Sequence, residues 1–297
     1  MAETLARASG ATRRYGEVVA VDQVSVDVRA GELVGLLGPN GAGKSTLINM
    51  LVGLRRPTAG TVELFGGDPR SPANRRAIGV TPQETSLPAT LRVAECYDYV
   101  AAHFPDPEDR DELLGRLGLD GLERRQTGGL SGGQKRRLAV ALAFAGRPRM
   151  VFLDEPTTGL DVEARHALWQ SIKAYHAGGG TVLLTSHYLE EVEALAERVI
   201  VMGDGRILTD DTVESVRAMV GVRRVNVQLD EVPPLPGLLG VEREGARASL
   251  LTADADQLVR DLVATGVAFS DLEIKTTSLE EAFLSITTSV GADSAAV

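Results

Sequence analysis

The chain has 297 residues, 43% of them hydrophobic, with a formal net charge of −10 and a single cysteine. That length allows one large domain, or one of about 200 residues with a smaller companion, and the apolar content is enough for a core. The acidic balance speaks against a general nucleic-acid binder, the lone Cys96 excludes an internal disulfide and fits a reducing compartment, and no apolar run reaches the ~18 residues of a membrane span.

Residues 1–10 carry no signal-peptide core, so a soluble, cytoplasmic chain is expected; they also lack clear strand alternation, which leaves the start of the first strand open. Tyr15 stands beside Gly16. Val24, Val26 and Val28 alternate with polar residues as in a half-buried strand, and Ala30-Gly31 turns the chain into the apolar run Leu33 to Leu37. Next come Gly38-Pro39-Asn40-Gly41-Ala42-Gly43-Lys44-Ser45, which fit G-x-x-x-x-G-K-S/T, and then Thr46 to Leu51, which read as a helix. Strand, glycine-rich turn and helix form the setting in which backbone N–H groups point at phosphate oxygens, and the positive end of the helix favours an anion there. Lys44 is placed to reach β- and γ-phosphates, and the Ser45 hydroxyl to sit on Mg²⁺. The bland alternative is a plain glycine-rich turn.

Pro57, Gly60, Gly66, Gly67 and Pro69 bracket a short strand at 61–65, and Ala77 to Val80 is another, ending at Thr81-Pro82-Gln83-Glu84. From about 85 to 145 the pattern is helical: Leu91 to Phe104, Glu108 to Leu117, and Gln134 to Ala145. Leu130-Ser131-Gly132-Gly133-Gln134 opens the third of these and offers a second set of exposed N–H groups to phosphate; an ordinary serine N-cap is the alternative. Met150 to Leu153 is a buried strand that delivers Asp154 and Glu155 to the same end of the sheet. Asp154 is then the Mg²⁺ partner of Ser45, and Glu155 is placed to orient and deprotonate an attacking water; the alternative is a solvated acidic turn. A helix over Val162 to Ala177 is stopped by Gly178-Gly179-Gly180. Strand Thr181 to Thr185, helix Leu189 to Arg198, strand Val199 to Met202, a Gly203-Asp204-Gly205 hairpin turn and Arg206 to Leu208 follow. This alternation implies a largely parallel sheet with ligands at the carboxyl ends of its strands. Past about residue 219 the character changes: a strand with one exposed face through Val225, Val227 and Leu229, a loop at Pro233, Pro234 and Pro236, a strand from Ala248 to Leu251, a helix from Asp256 to Ala264 and a strand from Val267 to Lys275. Ser278-x-x-Glu281 reads as a capping box opening a last helix through Ile286, and a disordered tail is expected from Gly291.

In this order, Gly38–Ser45, Gln83, Leu130–Gln134, Met150–Glu155, Gly159-Leu160-Asp161 and His187 resemble an ATP-binding cassette ATPase subunit over about residues 4–217. The resemblance implies an α/β fold of P-loop NTPase type: a mixed, largely parallel sheet with an antiparallel β edge and a helical insertion. It implies a nucleotide-binding domain at 1–217 with its helical subdomain at about 85–145, a small C-terminal α+β accessory domain at 219–290, and a tail at 291–297. ATP and Mg²⁺ are the implied ligands. Two cassettes pair head to tail, with each ATP between the Gly38–Ser45 loop of one subunit and the Leu130–Gln134 segment of the other. By the same resemblance Tyr15 stacks on adenine, Gly38 through Thr46 hold phosphate, and Gln83 senses Mg²⁺ and the attacking water. Ser131, Gly132, Gly133 and Gln134 grip the γ-phosphate of the partner's nucleotide, Asp161 communicates across the dimer, and His187 contacts the γ-phosphate and holds the catalytic geometry. Tyr15 as a half-exposed strand residue, Gln83 as a solvated loop residue, Asp161 as a helix N-cap and His187 as a core histidine are the bland readings.

Ser186–Glu193 and Ser278–Phe283 resemble more closely the drug- and lipid-exporting branch, the daunorubicin-resistance-like cassettes that pair with a separate membrane permease. The expectation is therefore the ATPase subunit of an exporter, a homodimer held at the cytoplasmic face of the membrane by its permease. A permease helix would dock near Gln83 to Leu91, a hydrophobic drug or lipid would be the cargo, and nucleic acid would not be bound. The rival is a soluble cassette-type ATPase acting as a nucleotide switch. The single phosphate loop and the absence of sustained heptads disfavour it.

Overall fold

The computed structural model describes residues 2–83, 86–218, 223–245, 247–276, 279, 280 and 283. The chain forms two units, Met1–Asp211 and Thr212–Val297. In the first, two long strands, β1 (Thr4–Tyr15) and β2 (Val18–Arg29), pair antiparallel through several register shifts. These shifts explain why alternation was hard to see at the start of the chain. The inward face of β1 is lined by Leu5, Ala6, Ala8 and Ala11, all buried, and each bulge moves that face along the strand. Then come β3 (Leu33–Leu37), α1 (Lys44–Leu51), β4 (Ala59–Leu64), a single turn α2 (Pro72–Arg75) that the sequence reading leaves out, and β5 (Ile78–Thr81). β4 joins β1, giving a three-stranded antiparallel sheet in the order β2-β1-β4.

The helical stretch holds α3 (Val93–Ala101), α4 (Arg110–Arg116) and α5 (Gly132–Phe144). After it, β6 (Met150–Asp154), α6 (Val162–Ala177), β7 (Thr181–Thr185), α7 (Leu189–Leu195), β8 (Arg198–Gly203) and β9 (Arg206–Thr212) complete a six-stranded sheet in the order β5-β6-β7-β3-β8-β9. Its pairs from β5 to β8 are parallel, and every residue of β3, β6 and β7 is buried, which is why these strands read as unbroken apolar runs. β8 and β9 are joined by Asp204-Gly205, both at positive φ, the geometry of a tight hairpin and hence an antiparallel edge. α7 ends three residues earlier than its sequence pattern suggests. Arg198 is drawn into β8 by Asp210 at 2.7 Å and Glu32 at 3.0 Å. The core fills the space between the two sheets and α1, with Leu36, Leu47, Met50, Leu64, Phe152 and Ile200 among its members.

The second unit contains α8 (Val213–Ala218), β10 (Arg223–Gln228), β11 (Leu238–Glu244), β12 (Arg247–Thr252), α9 (Ala255–Ala264) and β13 (Ser270–Thr276). Its strands form an antiparallel sheet in the order β11-β12-β10-β13. Val225, Val227, Ala248 and Leu250 pack with Leu258 and Leu262 of α9 in a separate core. β11 is absent from the sequence reading: it is an exposed edge strand carrying Gly240 and the run Glu242-Arg243-Glu244, features that suppress a strand signal. The capping-box residues Ser278 and Glu281, and the tail from Gly291, lie outside the described residues.

Candidate functional site

Buried strand β3 runs directly into the glycine-rich loop, and the loop's backbone admits little else. Gly41 and Gly43 sit at φ +84 and +98. A Cβ on Gly43 would lie 2.3 Å from the Ala20 carbonyl oxygen, and one on Gly38 would lie 2.5 Å from that of Met202. Gly43 is the N-cap of α1 and brings no capping side chain, so the first-turn N–H groups, where Ser45 and Thr46 sit half-buried, depend on something other than a capping side chain. Lys44 is only 7% exposed, and its Nζ donates to the carbonyl oxygens of Gly38 at 2.6 Å and Pro39 at 3.1 Å. Burial pushes its pKa down, and the negative charges of Glu155 and Asp154 push it back up, so the lysine and both carboxylates share one electrostatic neighbourhood.

The carboxylates arrive from β6. Asp154 pairs in register with Thr185 of β7, and the Thr185 hydroxyl donates to its Oδ1 at 2.6 Å. The same hydroxyl oxygen accepts the Glu155 N–H at 2.9 Å, so one threonine fixes both acids. Glu155 leaves the strand at φ +53, a left-handed conformation that a non-glycine residue adopts only under constraint. It is nearly buried. His187 Nε2 lies 2.6 Å from its Oε1, Gln83 Nε2 donates to that oxygen at 3.5 Å, and the Thr158 hydroxyl donates to Oε2 at 3.4 Å.

Lys44, Gln83, Asp154, Glu155 and His187 are thus brought together. The other sequence candidates bond locally. Ser131 and Gln134 close a reciprocal capping box at the start of α5, with the Gln134 N–H on Ser131 Oγ at 3.2 Å and the Ser131 N–H on Gln134 Oε1 at 2.9 Å. Gly132 is exposed beside them, and a Cβ on Gly133 would come 3.3 Å from Leu160, so this segment lies against the loop that carries Asp161. Asp161 caps α6, accepting the Ala164 N–H at 2.8 Å. Tyr15, at the end of β1, is 43% exposed, with the Arg13 guanidinium 4.7 Å from its ring centroid. Pro39, Asn40 and Ala42 complete the loop backbone; Ala42 is buried in the core.

Sequence reasoning missed Arg136. From α5 it donates to the carbonyl oxygens of Pro82 at 2.6 Å, Gln83 at 3.2 Å, Glu155 at 2.7 Å, Pro156 at 3.4 Å and Asp154. One buried guanidinium therefore staples the Gln83 loop to the Glu155 loop. Burial pushes its pKa down, and Asp154, Glu155 and Glu191 push it up. The signal was available: Arg136 heads the stripe Ala139, Val140, Ala143 and Phe144, all buried, at helical spacing. Thr185 and Glu191 were also passed over as individuals.

The oxygen donors of Ser45, Asp154 and Gln83 suit Mg²⁺, a hard cation that takes few protein ligands and keeps waters and substrate phosphates. Among the described residues there is no cluster of three or more His, Cys, Asp or Glu that could bind a metal. No helix among the described residues is long and apolar enough to cross a membrane.

The family pattern described as ABC transporter matches residues 21–158. A daunorubicin resistance ATP-binding protein of Streptomyces coeruleorubidus is 36% identical, with 97% of each chain covered. A Nod factor export ATP-binding protein I of Ralstonia nicotianae is 39% identical over 81% of this chain and 77% of its own. Among solved structures, the ATP binding subunit of an ABC transporter superimposes with TM-score 0.68 at 28% identity, covering 73% of this chain and 93% of that one. A dimeric ATP-binding cassette in a post-hydrolysis state, bound to ADP and Pi, does so with TM-score 0.64 at 26% identity, covering 70% and 98%.

Proposed function

The chain belongs to the ABC transporter family as an ATP-hydrolysing subunit, and from that premise we propose that Glu155 is its water-activating base and that its turnover drives export through a separate permease. The phosphates of ATP rest on Gly38 through Thr46, with Lys44 on the β- and γ-phosphates and Tyr15 against adenine. Ser45, Asp154 and Gln83 hold Mg²⁺, which when bound neutralises charge on the β- and γ-phosphates. Glu155 takes a proton from the water whose oxygen attacks the γ-phosphorus. The bond from that phosphorus to the bridging oxygen breaks, and ADP leaves with the oxygen. His187 and Gln83, which both reach Glu155 Oε1, hold the carboxylate toward that water and reach the γ-phosphate end of the nucleotide. The observation that carries this reading is the nearly buried Glu155, bent out of β6 at φ +53 and bonded to His187, inside the field of Lys44.

The working unit is a head-to-tail pair of these chains. Ser131, Gly132, Gly133 and Gln134 close on the γ-phosphate held by the partner, and Asp161 sits at the seam. Residues 1–217 are the nucleotide-binding domain, with a helical subdomain at about 85–145, and 219–290 are a small α+β accessory domain. The permease docks on the side of Gln83 to Leu91 and keeps the pair at the cytoplasmic face of the membrane. The relatives named for daunorubicin resistance and Nod factor export support a hydrophobic drug or lipid-like cargo. The deciding experiment is Glu155→Gln. With ATP and Mg²⁺ it forms a stable dimer by light scattering while turnover falls by about 10²- to 10⁴-fold. Near-normal phosphate release from this variant would remove Glu155 as the base.

A further inference from the structure

Three segments of the first unit meet at a carboxylate to which the hydrolytic scheme gives no role. Glu191 lies in the first turn of α7 and is 0% exposed. Its Oε2 accepts the Thr157 hydroxyl at 2.9 Å and the Ser186 hydroxyl, and its Oε1 accepts the Trp169 indole N–H of α6 at 2.9 Å. The direction of the Ser186 bond is set by its neighbour. The Tyr188 N–H donates to the same hydroxyl oxygen at 2.9 Å, which leaves the hydroxyl hydrogen for Glu191. All three partners are donors, an arrangement that an ionised carboxylate satisfies with acceptor capacity to spare, whereas an amide must turn an NH₂ toward at least one of them. The Arg165 cation, stacked 4.1 Å over the Tyr188 ring, adds a favourable charge. Burial pushes the carboxyl pKa up, against the pull of these donors and of Arg165.

A packing role alone does not call for this chemistry, because a buried carboxylate is costly unless it is fully paired. Its partners are informative by position. Thr157 stands two residues after Glu155, and Ser186 stands directly before His187. Glu155 and His187 touch at 2.6 Å. Glu191 clamps the same two loops through Thr157 and Ser186. We propose that Glu191 is a positioning residue for hydrolysis: by holding the Thr157 and Ser186 hydroxyls it fixes the spacing of the Glu155 and His187 loops, and through its bond to Trp169 it couples that spacing to an indole signal. This rests on the assignment of Glu155 and His187 to the reaction. Trp169 is the chain's single tryptophan, so its fluorescence reads this junction alone.

The test compares the full-length chain with Glu191→Gln, Thr157→Val and Ser186→Ala, measuring ATP turnover, KM for ATP and Trp169 emission. The expected result is a kcat lower by about tenfold to a hundredfold, the scale of a small misplacement of catalytic groups, with KM within threefold because the phosphate loop is untouched. Trp169 emission shifts in Glu191→Gln. The Glu191→Gln/Thr157→Val double variant is no slower than Glu191→Gln, because both act through one bond. A folded Glu191→Gln with kcat within threefold of the unmutated chain, or with its loss expressed in KM, overturns the proposal. Should that variant be insoluble, Thr157→Val and Ser186→Ala are judged by the same criterion. Glu155→Gln is run in parallel. If it hydrolyses normally, the assignment of the base is at fault; if it is dead while the Glu191 set is normal, only the positioning role fails.

Discussion

At Lys44 a sequence motif and a buried charge describe the same residue. The motif places the ammonium at the end of a glycine-rich loop. The structure adds that it is nearly buried, held by two loop carbonyls, and balanced by Asp154 and Glu155. On the proposed reading, a triphosphate arriving on this loop meets an ammonium already held in place, so little side-chain entropy is lost on binding. Lys44→Ala removes charge-assisted bonds of about 1.5–3 kcal/mol, so ATP affinity falls by roughly one to two orders of magnitude in a fluorescent-nucleotide titration. An unchanged titration would contradict the role. Gly43, whose φ and whose approach to Ala20 forbid a side chain, was legible in the sequence because only glycine tolerates that backbone. The 2.6 Å contact between His187 and Glu155 was not legible, since it joins the ends of two different strands.

The element that ties the site together is α5. It approaches β5 so closely that a Cβ on Gly79 would collide with the Ala143 carbonyl oxygen. This carries the Arg136 guanidinium under the Pro82–Gln83 and Asp154–Pro156 backbones. The N-terminus of the same helix is the Ser131–Gln134 capping box. One helix therefore has the proposed partner-facing contact at its tip and, one turn along, the guanidinium that holds the chain's own Glu155 loop. Arg136→Met would leave several buried carbonyls without a donor. The expected cost is on the order of 3 kcal/mol, read as a lowered midpoint in urea unfolding. Turnover is expected to fall further than that loss of folded fraction explains, and a stability loss with proportionate activity would reduce Arg136 to a packing residue. The pattern of α5 as a helix was visible in its sequence; that its one inward arginine serves two distant loops was not.

On the scale of the whole molecule, the proposed head-to-tail pair gives each chain half of two composite sites on opposite elements, the glycine-rich loop before α1 and the Ser131 tip of α5. Ser131→Arg should therefore leave ATP binding by the monomer intact while stopping hydrolysis, at a folding cost of about 1 kcal/mol from the lost cap. Mixed with Lys44→Ala chains it should regain roughly a quarter of unmutated turnover, because half the dimers are mixed and each holds one intact site. Complete failure of that rescue in an enzyme-coupled ADP assay would count against action in trans. The second unit has its own core, built from Val225, Val227, Leu250, Leu258 and Leu262, and stands as a separate hydrophobic cluster.

The sequence by itself determined the elements whose signals are local: the buried strands β3, β6 and β7, the glycine loop, the helix over Val162–Ala177, and the acids placed at a strand end. Periodicity, turn chemistry and a backbone only glycine can adopt are all written within a few residues of where they act. Tertiary structure alone decided the sheet order β5-β6-β7-β3-β8-β9, which sets Thr185 beside Asp154, and the two hubs of Arg136 and Glu191. A buried charge has to find its partners wherever the fold brings them, and those partners lie up to 54 residues away along the chain, beyond the reach of any local pattern.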